Sequence, residues 1–310
     1  LSVRHIHMKI IFIINPQAGN GAALLKWHKF VKTIDFPHEA FITQFSGHAF
    51  QLVSQLAAQP DKSLVIGFGG DGTMREIAAA ASGAGQLIIA SVPAGSGNDF
   101  ARTFGCFSNA QEIQRYIESP AALATDIGQV TGTTEQLFAS SSGIGFDAAV
   151  AQAVNHSRMK RWLNKIRLGK LAYLIFVIKT LFTFQKFQLT VEANEAVHHF
   201  DDVWLATVSN QPYFGGGMKI SPYSSVHDGL LELTVVHGLP RLKLLAVFGT
   251  VFSGSHTNFS EVVQFSGKCF VLAVDRPVPR HMDGDEAEMA SVKEELEFRV
   301  SAKQWQQAKL

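Results

Sequence analysis

Cysteine is nearly absent: Cys106 and Cys269 are the two in 310 residues. That is too few for a disulfide-stapled secreted scaffold, and the pair lacks metal-ligand spacing, so a reducing cytoplasm is the natural compartment. An excess of charge is also missing, with 27 basic against 26 acidic side chains and a formal net charge of +1, which argues against a nucleic-acid binder. Long apolar runs are missing too. Ile10 to Ile14 is too short for a signal-peptide core and runs into Asn15-Pro16, and Leu171 to Phe184 is interrupted by Lys179 and falls short of the roughly 20 residues of a bilayer span. We therefore expect neither, and read Leu1 to His7 as a leader before a natural start at Met8. The twelve histidines show no His-Glu-x-x-His spacing, Ser140 to Ser142 form no G-x-S-x-G elbow, and there is no repeat at a solenoid period.

What is present is apolar and phenylalanine-rich, with 46% hydrophobic, 17% charged and 24 Phe, the material of a globular core. The length exceeds what one core usually serves, so two domains, or one with a large insertion, are expected. Over the first 105 or so residues one pattern occurs three times. Lys9–Ile14, Leu64–Phe68 and Leu87–Val92 read as strands; each leads into a glycine-bearing loop and then a helical stretch, Ala22–Ile34, Met74–Ala81 and Phe100–Thr103. This predicts a parallel sheet covered on both faces, with its loops opening at the carboxyl edge where such sheets bind ligands. After about residue 122 the texture becomes short alternating segments, such as Phe187–Ala193 and Val203–Ser209, and predicts a mainly antiparallel β domain. The expected division is 8–122 and 123–310, with the final segment free to return to the first domain.

Glycines between strand and helix let backbone N–H groups approach an anion, and the helix amino terminus adds its dipole. Three such loops at one sheet edge favour a nucleoside triphosphate, although no Walker Gly-Lys-Ser/Thr follows any of them. Asp71 and Thr73 fit a helix cap, or a water-mediated Mg²⁺ and phosphate oxygens. Asp99 allows the same two readings.

These residues resemble the diacylglycerol kinase catalytic-domain family, which includes bacterial diacylglycerol kinases and sphingosine kinases. The matching pieces are Asn15-Pro16-x-x-Gly19, Gly69-Gly70-Asp71-Gly72-Thr73, Pro93 through Arg102, Gly143 through Ala148, Gly215 through Lys219, Asp228-Gly229-Leu230 and Asp283-Gly284-Asp285. NAD kinases share the Gly-Gly-Asp-Gly-Thr piece, but the long loop ending Asn98-Asp99-Phe100-Ala101-Arg102 favours the lipid kinases. The resemblance implies an α/β nucleotide domain, a carboxyl-terminal β-sandwich and an ATP site in the cleft between them. It carries nucleotide contacts to Asn15, Gly19, Thr43, Gly70, Asp71, Gly72, Thr73, Glu76 and Ser96, with Asp99 in the cofactor-binding set. Ser96 stands where threonine is usual, and Arg75 where asparagine is common.

In the second domain the resemblance implies a structural Mg²⁺ on Ser225, Asp228 and the Leu230 carbonyl; read alone, the segment is a His-Asp-Gly turn. It also implies that Asp285, usually a glutamate, is the general base, with Asp283 helping to hold a catalytic Mg²⁺ and Asp71 in the catalytic set. Between Ala148 and Val191 there is no acidic residue, yet Arg158, Lys160, Arg161, Lys165, Arg167, Lys170, Lys179 and Lys186 lie there among apolar residues. This basic 158–186 passage suits peripheral contact with an anionic membrane surface, or a helix packed on the sandwich with solvated lysines. The expectation is an ATP- and Mg²⁺-dependent kinase of a membrane lipid, diacylglycerol first, cytoplasmic and transiently at the inner membrane surface, with no nucleic-acid partner. A homodimer is compatible with the sequence. The alternatives are an NAD kinase and a non-catalytic nucleotide- and lipid-binding regulator. The Gly143-Ile144-Gly145-Phe146-Asp147-Ala148 piece also fits a loose dinucleotide fingerprint, but no acidic residue follows about 20 positions on to bind a ribose.

Overall fold

The computed structural model describes residues 8–95, 97–132, 134–155, 169–292 and 294–310, with the side chains of 155 and 169–174 left out. Ser96 and the 158–168 part of the basic passage lie outside the described residues.

The first half runs β1 (Lys9–Ile14), α1 (Ala22–Phe30), β2 (Glu39–Ile42), α2 (His48–Ala57), β3 (Ser63–Gly69), α3 (Asp71–Ala81), β4 (Leu87–Pro93), α4 (Asp99–Phe104), α5 (Ala110–Glu118) and β5 (Ala122–Thr125). Strand side chains alternate between faces, and both faces are buried. Ile10, Phe12, Leu64 and Ile66 pack with Trp27 of α1 and Ile113 of α5. Ile11, Ile13, Val65 and Ile89 pack with Val53 of α2 and with Met74 and Ile77 of α3. Besides the three expected strand–loop–helix units there is a fourth, β2 with α2. Its strand is a short edge strand, Glu39-Ala40-Phe41-Ile42, pairing with β1 alone. It lacks the isoleucine and valine run of a strand buried on both faces.

The second half continues with β6 (Gly128–Thr131), β7 (Glu135–Phe138), β8 (Ser141–Gly145), α6 (Phe146–Asn155), α7 (Gly169–Thr183), β9 (Phe187–Ala193), β10 (Ala196–Ser209) and β11 (Leu231–His237). It ends with α8 (Arg241–Thr250), β12 (Val262–Gly267), β13 (Cys269–Val274), β14 (Val278–Met282), β15 (Asp285–Ala290), β16 (Leu296–Val300) and β17 (Trp305–Ala308). Strands β6 to β16 form one antiparallel, sandwich-like sheet of 11 strands. The long β10 changes partners at irregularities between Phe200 and Leu205, pairing with β9 before them and with β8 and β11 after them. Its Trp204 is fully buried, lies over Phe184 and donates its indole N–H to Leu239 O at 2.8 Å. Helices α6 and α7 pack on this core through Val150, Phe176, Val177 and Leu181.

The chain then returns. β17 lies between β4 and β5 in the first sheet, parallel to β4 and antiparallel to β5. Thus β5 and β17 both extend beyond residue 122. Where the chain leaves the first sheet, the buried carboxylate of Asp126 accepts from Gln304 Nε2 at 2.7 Å and Gly229 N–H at 2.8 Å, and its carbonyl accepts from Asn210 Nδ2 at 3.0 Å. The outgoing and returning strands and the loop before β11 are therefore held at one point. Trp305 of β17 is fully buried beside Phe104 and Phe100, with ring centroids 5.2 and 5.7 Å away. Emptying a site of this size costs about 3–5 kcal/mol. Trp305→Ala should lower unfolding stability by that amount in a denaturant titration, and an unchanged midpoint would contradict this packing.

Candidate active site

The loops after β1, β2, β3 and β4 meet at the carboxyl edge of the parallel sheet, and β15 faces them from the second domain. Between them is a cleft of about 440 Å³. Its floor is backbone against backbone. A Cβ on Gly95 would lie 2.5 Å from Gly70 Cα, and one on Gly19 2.5 Å from Ala94 O, with Gly19 also at φ +60°. Only glycine lets these loops close to this distance.

Helix α3 starts at Asp71, three residues earlier than its apolar pattern suggests, with Gly70 as its extended N-cap and no side-chain cap. Its first return bond is Met74 N–H to Gly70 O, so the N–H groups of Asp71, Gly72 and Thr73 have no intrahelical acceptor. Gly72 lines the cleft, and a Cβ there would meet nothing within 4 Å. Thr73 is buried and its hydroxyl accepts from Asn15 Nδ2 at 3.0 Å, tying the β1 loop to the start of α3. Thr43 N–H donates to Ile14 O at 2.8 Å, which places Thr43 on the same wall.

The acidic residues sort differently from their sequence reading. Glu76 lines the cleft, but its carboxylate accepts from Gly47 N–H at 2.8 Å and Ala49 N–H at 3.1 Å, capping α2. Asp71 turns toward α4 and accepts Phe100 N–H at 2.9 Å, and a Cβ on Gly97 would lie 2.7 Å from its other oxygen. Asp99 is buried, accepts Gly216 N–H at 2.6 Å from the second domain, and pairs with Arg102. Burial, and after it the charge of Asp71, holds the Asp99 carboxyl above the usual range against the Gly216 and Arg102 donors.

Asp283 and Gly284 join β14 to β15 with φ of 50° and 85°, a two-residue hairpin turn of the kind that Asp-Gly favours. The Asp283 carboxylate accepts from Ala139 N–H at 2.9 Å, Ser140 N–H at 2.7 Å and Ser141 N–H at 2.9 Å. Both oxygens accept backbone N–H groups, so the Asp283 carboxylate anchors the hairpin to the start of β8. Asp285 is exposed on the cleft and pairs with Arg75, Nη2 to Oδ2 2.5 Å, while Arg75 Nη1 lies 3.4 Å from Met282 O.

Ser225, Asp228 and Leu230 share the loop before β11, where Asp228 accepts Leu230 N–H at 3.0 Å. That bond is the local turn the segment suggests by itself. Among the described residues no three His, Cys, Asp or Glu side chains converge on a metal position. Glu232, two residues on, is nevertheless held above the usual carboxyl range by burial and then by the charge of Asp228. Two mutually repelling carboxylates among oxygen donors are a setting that a hard cation fits.

Residues 9–130 match the diacylglycerol kinase catalytic domain, and residues 140–300 match the YegS C-terminal NAD kinase beta sandwich-like domain. YtlR of Bacillus subtilis, which carries a provisional lipid-kinase name, is 31% identical over 285 residues, 88% of this chain and 92% of that one. The chain belongs to the diacylglycerol kinase family of lipid kinases. A diacylglycerol kinase of Mycobacterium tuberculosis (strain H37Rv) is 28% identical over 290 residues, 91% of this chain and 90% of that one. A crystal structure named as a diacylglycerol kinase of Bacillus anthracis strain Sterne shares the fold at a TM-score of 0.68 and 19% identity, covering 97% of each chain.

Membership of this lipid kinase family brings ATP use with it, and directs attention to cleft residues that the sequence reading passed over. Gln44, Phe45 and Ser46 line the cleft from the β2 loop, and the exposed Phe45 ring stacks on His48 with centroids 4.7 Å apart. Gly47, at φ 89° before α2, was the available signal. The cleft floor yields a paired expectation. Gly95→Ala forces two backbones apart, costing about 1–3 kcal/mol and most nucleotide affinity. Gly72→Ala puts a methyl into open cleft and should weaken nucleotide binding while the melting temperature holds or rises, alanine being about 1 kcal/mol better than glycine within a helix. Calorimetric titration beside thermal melts separates the two, and equal binding by wild type and both variants would remove the cleft from consideration.

Proposed function

We propose that the protein transfers the γ-phosphate of ATP to the free hydroxyl of diacylglycerol, giving phosphatidic acid. The observation that carries this reading is the pairing of walls across one cleft, the uncapped start of α3 on one side and Asp285 on the other. Diacylglycerol is favoured over other lipid alcohols by the names of the Mycobacterium and Bacillus anthracis relatives. The N–H groups of Asp71, Gly72 and Thr73 would hold phosphate oxygens. Asp71 would hold Mg²⁺ through water, and Ser225, Asp228 and the Leu230 carbonyl would hold a second, structural ion. Bound there, the catalytic ion would neutralise charge on the phosphates.

In the transfer, the lipid oxygen bonds to the γ-phosphorus as the bond from that phosphorus to the β–γ bridging oxygen breaks. ADP takes the electron pair. Asp285 orients the hydroxyl and accepts its proton late, since positioning and charge neutralisation supply most of the catalysis in phosphoryl transfer.

The lipid has to be reached in a membrane. No helix among the described residues is long and apolar enough to cross one, and α7, at 15 residues, spans about 22 Å. Yet α7 is apolar on its outer face too: Ile175, Ile178 and Phe182 are 42%, 40% and 59% exposed, opposite the buried Val177 and Leu181. Lys179 lies beside them, whereas Lys186 is taken up by Asp202 at 2.9 Å. An apolar outer face with a basic neighbour suits immersion in an anionic interface better than a packed helix with solvated lysines. It supports a cytoplasmic protein that docks transiently on the inner membrane surface.

Labelled phosphate from ATP should appear in diacylglycerol in mixed micelles with Mg²⁺, and drop by at least about 100-fold in Asp285→Asn, the scale of a lost general base. Label in NAD or in another lipid alone would replace the acceptor assigned here. Separately, Phe182→Ser should weaken flotation with phosphatidylglycerol vesicles about fivefold or more, from roughly 1 kcal/mol or more for a ring withdrawn from lipid. Unchanged flotation would remove α7 from the membrane.

A further inference from the structure

Arg75 on α3 and Asp285 on β15 are far apart in sequence and touch in space. Arg75 Nη2 lies 2.5 Å from Asp285 Oδ2, with the arginine 15% and the aspartate 61% exposed, and both line the cleft. Glutamate at 285 would be longer by one methylene, about 1.5 Å, and would overrun the guanidinium. Asparagine at 75 would leave the shorter aspartate without a cation.

The guanidinium has five N–H groups in a fixed fork. One is engaged by Asp285, and a second makes a long 3.4 Å contact with Met282 O. Arg75 is on the first turns of α3, next to the Gly72 and Thr73 cleft wall. An anion in this cleft would meet the Asp285 carboxylate directly across from it, and two like charges at that separation repel unless a cation lies between them. Guanidinium suits that place, since its fork can take a carboxylate on one edge and a phosphoryl group on another.

We propose that Arg75 binds the γ-phosphate of the nucleotide, and that Asp285 positions it for this by holding one edge of the guanidinium. Arg75 then neutralises the phosphoryl group being transferred, and keeps the carboxylate base beside an anion it would otherwise repel. The proposal rests on the kinase reading above, and its deciding test, nucleotide binding, needs no lipid. ATP and ADP, each with Mg²⁺, are titrated calorimetrically into the wild type, Arg75→Asn, Arg75→Lys, Asp285→Glu and the double variant Arg75→Asn/Asp285→Glu. Thermal melts confirm folding.

Arg75→Asn should lose about tenfold in ATP affinity, about 1.4 kcal/mol, with ADP affinity held within about twofold, because ADP lacks the group that Arg75 holds. Arg75→Lys should fall between. In lipid turnover, Asp285→Glu should be slower than wild type, and the double variant faster than either single change. If Arg75→Asn shifts ATP and ADP alike, or neither, Arg75 is only a tie between the domains and the proposal falls while the kinase reading stands. If the wild type binds neither nucleotide, the kinase reading falls and takes the proposal with it.

Discussion

A side chain has no room where Gly95 meets Gly70, and the rest of the cleft follows from that constraint. The loops after β3 and β4 touch through their backbones, which brings the starts of α3 and α4 together. Asp71, at the start of one helix, can then cap the other. Thr73 comes within reach of Asn15 on the β1 loop. The donors of α3 that are left over face open space because the loops around them are satisfied by one another. An anion site of this kind is shaped by its neighbours: Asn15 is bound to Thr73 and Asp71 to Phe100 N–H, while the first N–H groups of α3 have no partner within the helix.

The carboxylates show the same economy. Glu76 and Asp285 line the cleft, and Asp71, Asp99 and Asp283 belong to the loops and the hairpin that shape it; together they would oppose the entry of a polyanion if all faced it freely. Four of the five are turned onto backbone N–H groups. Their charge is spread over helix termini, a neighbouring loop and a hairpin nest, and each anchors an element that shapes the cleft. The fifth, Asp285, is met by a cation. Negative charge thus builds the walls without closing the door.

The sheet, its two buried faces and the three main loops were legible because glycine and branched-aliphatic runs carry local information. β2 was missed because an edge strand needs no such run, and the start of α3 was placed late because Asp71-Gly72-Thr73 is polar and is helical only through its junction with β3. The antiparallel half could be recognised by texture, although the change of partners along β10 depends on irregularities that alternation does not encode. At the site, Asn15, Gly19, Thr43, Gly70, Gly72, Thr73, Glu76 and Asp285 line one cleft, and the Ser225, Asp228 and Leu230 motif does not. What each carboxylate does could not be read, because the donor that claims it lies far away in sequence: Asp283 with Ala139 to Ser141, Asp99 with Gly216. The Arg75–Asp285 contact was invisible for the same reason, although both residues had stood out singly.

The insertion of β17 between β4 and β5 gives the fold an order in time. A ribosome makes the strands of the first sheet early, but the place beside β4 is filled only by residues 305–308, after the entire β-sandwich has been made. Until then β4 presents an open edge, and Phe100 and Phe104 of α4 lack the Trp305 ring that covers them. The nucleotide-binding half, first to emerge, is therefore last to close. A nascent chain cannot close its first sheet ahead of its second domain, and residues 305–308 are what join the two halves into one cooperative unit.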